Sequence, residues 1–293
     1  MMTDSSQAVT KKPLAIKFIA LLSIVRWYNI LLTIVAQYLS AFVLMRDKPQ
    51  TLNDLLVDFK LHGIVLASVF SIAGGFIINN FYDFERDLIN RPKLTLFNKL
   101  VSKRRQLNLY IGFNIVALLI AFMASFKIGV FFFCFIAALW LYSHKLEKMP
   151  FIKELAASLL SIACFFAVLL HFSRYYPFIF IYGAFYMSLV YSREIVKQFI
   201  NYNGDLVLGI QSLPVSLGTD KARAFLGFVM VLSFSGGAGI LWHDGLMTRS
   251  YFILLALLLI VVSGILIQRN HYKAVNTIYK VLMVSGILNI LLM

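Results

Sequence analysis

Cysteine, acidic residues and charge of either sign are all scarce in this chain. Its 293 residues include two cysteines, Cys134 and Cys164, both inside apolar runs, which excludes a disulfide framework and a cysteine–histidine metal site. Only 14% of the residues are charged and only 13 are acidic, which excludes an ordinary soluble domain. The first dozen residues are polar and then basic, without the apolar region and cleavage site of a secretory signal peptide.

Long apolar segments take the place of the missing charge. Hydrophobic residues make up 60% of the chain, and a helix needs about 20 consecutive apolar residues to cross a bilayer. Strands are not expected, because these runs are too long and continuous for a membrane barrel. The sequence therefore predicts an all-α polytopic membrane protein with about nine transmembrane helices. The predicted spans cover approximately residues 18–42, 62–82, 107–125, 129–146, 155–172, 177–195, 222–242, 250–267 and 274–292.

The basic residues are distributed unevenly between the two sides of this arrangement. Most of the 27 lie at the N-terminus and around the loops that follow the second, fourth, sixth and eighth spans. The other side has only Arg46, Lys48, Lys60, Lys127, Arg174 and Arg249. The positive-inside rule therefore predicts a cytoplasmic N-terminus and explains the net charge of +14 without nucleic acid. We expect residues 1–15 to be a polar tail and residues 16–293 a single transmembrane domain.

A polar segment with three carboxylates follows the second predicted span. It reads NNFYDFERDLINRP over residues 79–92, and Asn79, Asp83 and Asp87 are spaced four apart. Residues at this spacing share one face of a helix, where two like charges are destabilising unless something compensates them. Mg²⁺ is typically held by one or two carboxylates, waters and phosphate oxygens. The segment therefore fits a magnesium site, or else a solvated helix end paired with nearby basic residues.

A second polar segment follows the sixth predicted span. It reads SREIVKQFINYNGDLVLGIQSLPVSLG, and Arg193, Lys197, Asn201 and Asp205 again recur every four residues. If the helix continues that far, cations and an acid share one face, which suits a phosphate and its metal. Gly204 is a possible interruption of this helix. Because both segments end spans on the same side, we expect them to form one pocket of acidic and basic groups.

These motifs resemble the UbiA superfamily of intramembrane prenyltransferases, and the resemblance covers nearly the whole chain. Its first motif, Asn-Asp-x-x-Asp-x-x-x-Asp, matches Asn79, Asp83 and Asp87, with Asn80 in place of an Asp. Its second motif matches Asp205 but has Asn201 where an Asp is usual. Further matches are Arg26 and Asn29 of VRWYN on the first span, and Tyr142, Ser143 and Lys148 after the fourth.

The resemblance implies transfer of a prenyl group from a prenyl diphosphate to a lipophilic acceptor within the membrane, with Mg²⁺ as cofactor. Asp83, Asp87 and Asp205 would then be catalytic. The metal would be held by Asn79, Asp83, Asp87, Asn201 and Asp205. The substrate contacts would be Arg26, Asn29, Arg86, Tyr142, Lys148, Arg193 and Lys197, with Arg86 the least secure of the phosphate contacts.

The second segment is most similar to the branch that makes digeranylgeranylglyceryl phosphate, although Gln198 and Asn201 replace two of its usual carboxylates. This similarity favours geranylgeranyl as the group transferred and geranylgeranylglyceryl phosphate as the acceptor. A 4-hydroxybenzoate or other quinone-precursor acceptor stays open. A catalytically weakened relative that binds prenyl lipid stays open too, whereas a transporter is disfavoured because no acid lies in the middle of a span. No nucleic-acid or protein partner is indicated.

Overall fold

The computed structural model describes residues 14–43, 52–173, 175–245 and 250–292, and within these ranges every regular element is a helix. Residues 1–13 of the expected polar tail lie outside them. Two short 3₁₀ turns, Leu146–Lys148 and Ile290–Leu292, accompany the α-helices. The α-helices are α1 (Leu14–Ile24), α2 (Trp27–Val43), α3 (Leu52–Val57), α4 (Phe59–Tyr82), α5 (Phe84–Asn90), α6 (Pro92–Asn98), α7 (Lys103–Ala124), α8 (Phe126–His144), α9 (Ile152–Phe172), α10 (Pro177–Val207), α11 (Leu213–Leu217), α12 (Thr219–Asp244), α13 (Ser250–Gln268) and α14 (Tyr272–Asn289).

The expected all-α membrane architecture is confirmed, but the count of nine spans is not. Seven helices in the described ranges are long and apolar enough to cross a membrane, namely α4, α7, α8, α9, α12, α13 and α14. The count becomes eight if the bent pair of α1 and α2 is one span. The sixth predicted span corresponds to α10, which has 31 residues but does not meet the same criterion. Its C-terminal half contains the polar residues of the second segment.

The first predicted span is two helices that meet at Arg26. The axes of α1 and α2 differ by 58°, and Arg26 has a positive φ of 50°. This conformation is costly for a residue with a Cβ, and it persists only where the surrounding structure imposes it. The helical hydrogen bonding restarts at once, because the backbone N–H of Asn29 donates to the carbonyl of Arg26 at 2.8 Å. The bend therefore places Arg26 at a corner of the backbone.

The helices pack as two groups, which are joined by direct packing of α9 against α10 and by α2. In the first group, α4, α7, α8 and α9 bury side chains such as Ile64, Ile128 and Phe132. In the second group, α10, α12, α13 and α14 bury Leu189 and Tyr279 among others. Helix α2 contacts α4, α9 and α14 and so touches both groups. A large cavity remains between the two groups.

Small residues bring the helices of the first group close together. A Cβ at Gly74 of α4 would lie 2.9 Å from the Oδ1 of Asn114 on α7, and one at Gly75 would lie 3.0 Å from Leu139 on α8. Because lipid supplies no hydrophobic driving force between helices, close packing of this kind is a main source of their association. Helix α4 is thereby held against α7 and α8, with its C-terminal end facing the cavity.

Asp58 fixes the start of α4 at the end of the molecule that lies away from the two polar segments. Its Oδ1 accepts a hydrogen bond from the backbone N–H of Leu61 at 2.9 Å, as expected of an N-cap residue. Its Oδ2 is 2.8 Å from the Nε2 of His171 on α9. The same carboxylate therefore caps α4 and joins it to α9.

Candidate active site

The cavity between the two helix groups has a volume of about 980 Å³ and combines a charged end with an apolar body. The side chains at its charged end come from α4, α5, α10, α14 and the bend between α1 and α2. This volume lies at the upper limit of typical ligand pockets. The aromatic residues in its wall include Phe76, Phe135, Phe165, Phe166, Tyr182 and Tyr186. The shape fits a ligand with an anionic head and a long apolar tail.

The first polar segment lines this cavity with the residues that the sequence predicted. Helix α4 ends at Asp83, but the hydrogen bonding continues, because the N–H of Asp83 donates to Asn79 O and that of Asp87 donates to Asp83 O, both at 2.9 Å. The Nδ2 of Asn79 donates to the Oδ2 of Asp83 at 2.7 Å. All three side chains line the cavity. Burial, together with the nearby charge of Asp83, raises the pKa of Asp87.

Arg86 forms a buried ion pair that sequence reasoning did not foresee. Its Nε donates to Asp205 Oδ1 at 2.6 Å, and its Nη2 donates to Asp205 Oδ2 at 3.0 Å. Its Nη1 also donates to Glu147 Oε1 at 3.4 Å. The side chain of Asp205 is fully buried and that of Arg86 is 10% exposed. The two polar segments are thus in direct contact, as expected. The contact is the ion pair between Arg86 of the first segment and Asp205 of the second, and not a metal ion or phosphate bound by both.

This pair changes the position of Asp205 relative to the cavity. Asp83, Asp87, Asn201 and Arg86 line the cavity, whereas Asp205 does not. Both carboxylate oxygens of Asp205 accept hydrogen bonds from Arg86. In this arrangement Asp205 holds the arginine, and its role as a metal ligand stays a prediction.

Helix α10 continues without interruption through the second polar segment, so the interpretation of Gly204 as a helix breaker was wrong. A Cβ at Gly204 would lie only 2.3 Å from the Oδ1 of Asn90. The glycine therefore permits α5 to approach α10 closely, which is what brings Arg86 to Asp205. The turn comes later, at Gly209, which has a φ of 65°.

The predicted cations of α10 are both in the cavity, and both already have partners. Lys197 is paired with Glu194 one turn earlier. The Nε of Arg193 donates to Asn276 Oδ1 on α14 at 3.1 Å, and its Nη1 is 3.7 Å from Glu194. Glu194 is therefore shared between two cations that sequence reasoning assigned to phosphate.

Arg26 and Asn29 also line the cavity. The guanidinium of Arg26 lies 5.1 Å from the ring centroid of Phe76, a geometry that permits a cation–π contact. Arg91 and Lys280 line the same end, and neither has an ion pair with a carboxylate in the described part of the chain. Neither residue was among the substrate contacts that the family resemblance implied.

The connection between α8 and α9 contributes a residue other than the one predicted. Tyr142 lines the cavity, but Lys148 is exposed and does not. Glu147 lines it instead, and its Oε2 is buried with no hydrogen-bonding partner among the described residues. The only sequence signal for Glu147 was the scarcity of acidic residues.

These residues fit a divalent cation. Over the described ranges, no three His, Cys, Asp or Glu side chains are grouped as a metal site that the protein alone would complete. Mg²⁺ does not need such a group, because waters and phosphate oxygens usually supply most of its ligands. Asp83 and Asp87 provide two carboxylates at the cavity wall, and Glu147 provides a buried oxygen that no group in the described ranges hydrogen-bonds.

The chain is similar in sequence to curated synthases. The chain is 24% identical over 270 residues to the digeranylgeranylglyceryl phosphate synthase of Methanobrevibacter smithii, covering 88% of this chain and 91% of the relative. It is 28% identical over 237 residues to the synthase of Pyrococcus horikoshii, covering 73% and 76%.

Solved structures share the fold. A structure of digeranylgeranylglyceryl phosphate synthase has a TM-score of 0.70 at 20% identity, covering 94% of this chain and 97% of that one. A UbiA homolog from Archaeoglobus fulgidus bound to GPP and Mg²⁺ has a TM-score of 0.69 at 16% identity, covering 93% and 99%. The model of the UbiA prenyltransferase family matches residues 35–285. The chain therefore belongs to the UbiA prenyltransferase family and is an integral membrane prenyltransferase.

Proposed function

We propose that this enzyme transfers a geranylgeranyl group from geranylgeranyl diphosphate to geranylgeranylglyceryl phosphate, with Mg²⁺. The observation that carries the proposal is the single cavity that joins carboxylates and cations at one end to an apolar, aromatic body. The curated relatives named above support the choice of both substrates. The positive-inside rule supports a cytoplasmic location of the charged end, because the loops rich in basic residues lie on the same side of the membrane as this end.

The first polar segment would hold the metal. Asp83 and Asp87 supply the carboxylates, and Asn79 orients Asp83 by donating to its Oδ2. Asn201 adds an amide oxygen to the same end of the cavity. Bound there, Mg²⁺ would act as a Lewis acid and template for the diphosphate. We assign Asp205 to the positioning of Arg86, because both of its oxygens are occupied.

The cations would stabilise the charge that develops on the leaving group. The allylic C–O bond breaks, and its electron pair leaves with the diphosphate, which Arg26, Arg91 and Lys280 can contact from the cavity wall. Preorganised charge of this kind is usually the largest single catalytic contribution. The aromatic wall then faces the allylic cation and excludes water from it. A hydroxyl oxygen of the acceptor forms the new ether bond to the allylic carbon, and its proton passes to the released diphosphate.

We expect Gln198 not to weaken this site, although it replaces a carboxylate usual in the branch. It is buried, does not line the cavity, and its Oε1 accepts a hydrogen bond from the N–H of Leu213 at 2.7 Å. The amide thereby holds the start of α11 against α10. Of the two replacements, only Asn201 faces the cavity.

Radiolabelled substrate in liposomes tests the proposal. Purified protein receives labelled geranylgeranyl diphosphate with or without Mg²⁺, and geranylgeranylglyceryl phosphate or 4-hydroxybenzoate is offered separately. We expect a labelled ether lipid only with Mg²⁺, and a labelled aromatic product would move the enzyme to quinone biosynthesis.

A matched pair of variants locates the chemistry. Asp83→Ala should lower Mg²⁺-dependent turnover by more than the ~10- to 100-fold typical of residues outside the metal's ligand set. Glu85→Ala removes an exposed carboxylate two residues away that does not line the cavity, and it should leave turnover unchanged. Full Mg²⁺-dependent turnover by Asp83→Ala would contradict the assignment.

A further inference from the structure

A groove with a volume of about 660 Å³ lies between α12 and α13, on the outer surface of the second helix group. Its apolar wall includes Met230, Val231, Phe234, Ile260, Val261 and Ile267. Val231, Phe234 and Val261 are exposed, so the groove opens outwards, towards the surrounding lipid. None of its wall residues lines the cavity that contains Asp83 and Asp87. The α12–α13 groove is therefore separate from the candidate active site.

Two glycines leave the space that forms this groove. Gly227 on α12 is exposed, and a Cβ built there would meet nothing within 4 Å in the described chain. A Cβ at Gly264 on α13 would have the Cε of Met230 as its nearest neighbour, at 4.0 Å. Glycines on membrane helices commonly permit the close approach of another helix, but these two face open space. The space is therefore available to a molecule from the membrane.

Arg223 lies at the end of the groove nearest the loops, where neutral partners hold its side chain. Its Nε donates to the hydroxyl of Tyr272 at 3.3 Å, and its Nη2 donates to Asn270 Oδ1 at 3.0 Å. The ring of Tyr272 is itself stacked on Phe199, with the centroids 4.6 Å apart. Asp220 is 4.0 Å from the Nη1 of Arg223, but its side chain is 93% exposed, so water screens this ion pair. Arg223 is thus a fixed cation whose charge is available to an anion.

Further basic residues accompany Arg223 at this end. Lys221 lies on the first turn of α12, and Arg269 and Lys273 follow the groove residue Gln268 in the chain. Residues 219–223 and 268–273 together contain four lysines or arginines and one acid. A basic residue near a membrane surface strengthens the binding of an anionic lipid about fivefold. The charge at this end of the groove therefore favours an anionic headgroup.

The length of the groove fits one leaflet of a bilayer. Arg223 and Phe234 are eleven residues apart on α12, which is about 17 Å at the rise of an α-helix. Half of the hydrocarbon core of a bilayer is about 15 Å. Helix α12 continues beyond Phe234 to Asp244, but none of the groove's wall residues lies in this part. A transmembrane helix of a second copy would need a groove across the whole membrane, whereas a lipid of one leaflet needs only this length.

We propose that the α12–α13 groove binds one membrane lipid with an anionic headgroup. The headgroup phosphate contacts Arg223, whose guanidinium suits paired hydrogen bonds to phosphate oxygens. One lipid chain fills the space beside Gly227 and Gly264 and extends to Phe234. The site does not depend on the proposed function, because its wall shares no residue with the cavity of the candidate active site.

Native mass spectrometry of the full chain in detergent tests the headgroup contact. Dioleoyl phosphatidylglycerol, which is anionic, and dioleoyl phosphatidylcholine, which is zwitterionic and has the same chains, are titrated separately, and the affinity for the first bound lipid is measured. We expect the wild type to bind phosphatidylglycerol at least about fivefold more tightly. Arg223→Gln should reduce this preference by about fivefold, whereas Arg223→Lys keeps the charge and should retain most of it.

A matched pair of leucine variants tests the apolar part of the groove. Gly227→Leu places a side chain in the open space, and it should weaken the binding of phosphatidylglycerol about tenfold, because the lipid chain loses on the order of ten atom contacts. Gly236→Leu lies nine residues further along α12, on the opposite face of the helix. Its Cβ also meets nothing within 4 Å of the described chain, and it should leave the affinity unchanged.

The same titrations contain the results that would overturn the proposal. Equal affinities of the wild type for the two lipids would do so, as would an unchanged preference in both Arg223→Gln and Gly227→Leu. The spectra also report the oligomeric state. A dimer that is lost in Gly227→Leu but kept in Gly236→Leu, with no change in bound lipid, would assign the groove to a second copy of the chain instead.

Discussion

The ion pair between Arg86 and Asp205 makes a quantitative prediction about stability. Each side chain is at least nine-tenths buried, and the contact is bidentate. Removing one member of such a pair leaves an uncompensated buried charge and typically costs about 3–5 kcal/mol. Arg86→Met should approach the upper value, because it leaves the fully buried carboxylate of Asp205 without its donor. Asp205→Asn should cost less, because Arg86 keeps Glu147 at 3.4 Å.

The double variant provides the decisive comparison. In Arg86→Met with Asp205→Asn no charge of the pair remains, so the loss of stability should be well below the sum of the two single losses. The free energy of unfolding is followed in detergent by denaturant titration, or by the thermal midpoint where unfolding is irreversible. Additive losses would contradict the geometry, since they would mean that the two side chains do not interact.

The same variants separate the two possible roles of Asp205. If it acts only by holding Arg86, the double variant should keep the Mg²⁺ dependence of transfer, at a lower rate because Arg86 also lines the cavity. A metal ligand would behave differently. If Asp205 binds the ion, the concentration of Mg²⁺ needed for half-maximal rate should rise at least tenfold in the double variant as well as in Asp205→Asn. That result would restore the role that the sequence motif implies and refute ours.

Further predictions concern the backbone and the helix ends. The free energy of unfolding of Arg26→Gly should be about 1 kcal/mol higher than that of Arg26→Ala, because only glycine adopts the positive φ at this bend without strain. Both variants should lose activity alike, and equal free energies of unfolding would contradict the strain at this residue. Gly204→Ala should reduce stability and Mg²⁺-dependent transfer, since its Cβ would lie 2.3 Å from Asn90. Asn90→Ala in the same chain should restore both, and Gly236→Ala, which meets nothing within 4 Å and lies outside the cavity wall, should reduce neither. Burial alone would raise the pKa of Asp58, but its hydrogen bonds with His171 and the Leu61 N–H lower it. The pair of Asp58 and His171 therefore stabilises the fold at pH values above 3.8, the ordinary pKa of an aspartate, and this contribution is lost as the pH falls through the lowered pKa of Asp58. Asp58→Asn should abolish this part of the acid dependence of the free energy of unfolding.

Local periodicity was sufficient to predict the first polar segment. Asn79, Asp83 and Asp87 share a face because the helical hydrogen bonds run through the junction of α4 and α5. A spacing of four residues carries that information without any tertiary contact. The apolar runs were equally informative about the membrane helices, since length and hydropathy are properties of the segment itself.

Properties that depend on packing could not be predicted in this way. Arg86 and Asp205 are 119 residues apart in the chain, and their contact depends on how closely α5 approaches α10. Gly204 permits this approach, but a glycine in a sequence predicts a break as readily as a close contact. The bend at Arg26 has no local signal either, because a non-glycine residue with positive φ is held there by its surroundings.

The distribution of paired and unpaired charges indicates where the diphosphate binds. Of the cations that sequence reasoning assigned to phosphate, Arg86, Arg193 and Lys197 already have carboxylate partners. An anion gains less from a cation that is already neutralised, because the attraction to the cation is offset by repulsion from its partner. Arg26, Arg91 and Lys280 have no such partner in the part of the chain described here, and all three line the cavity. The diphosphate should therefore lie between these cations and the metal at the first polar segment, and Lys280→Ala should weaken its binding more than Lys197→Ala does.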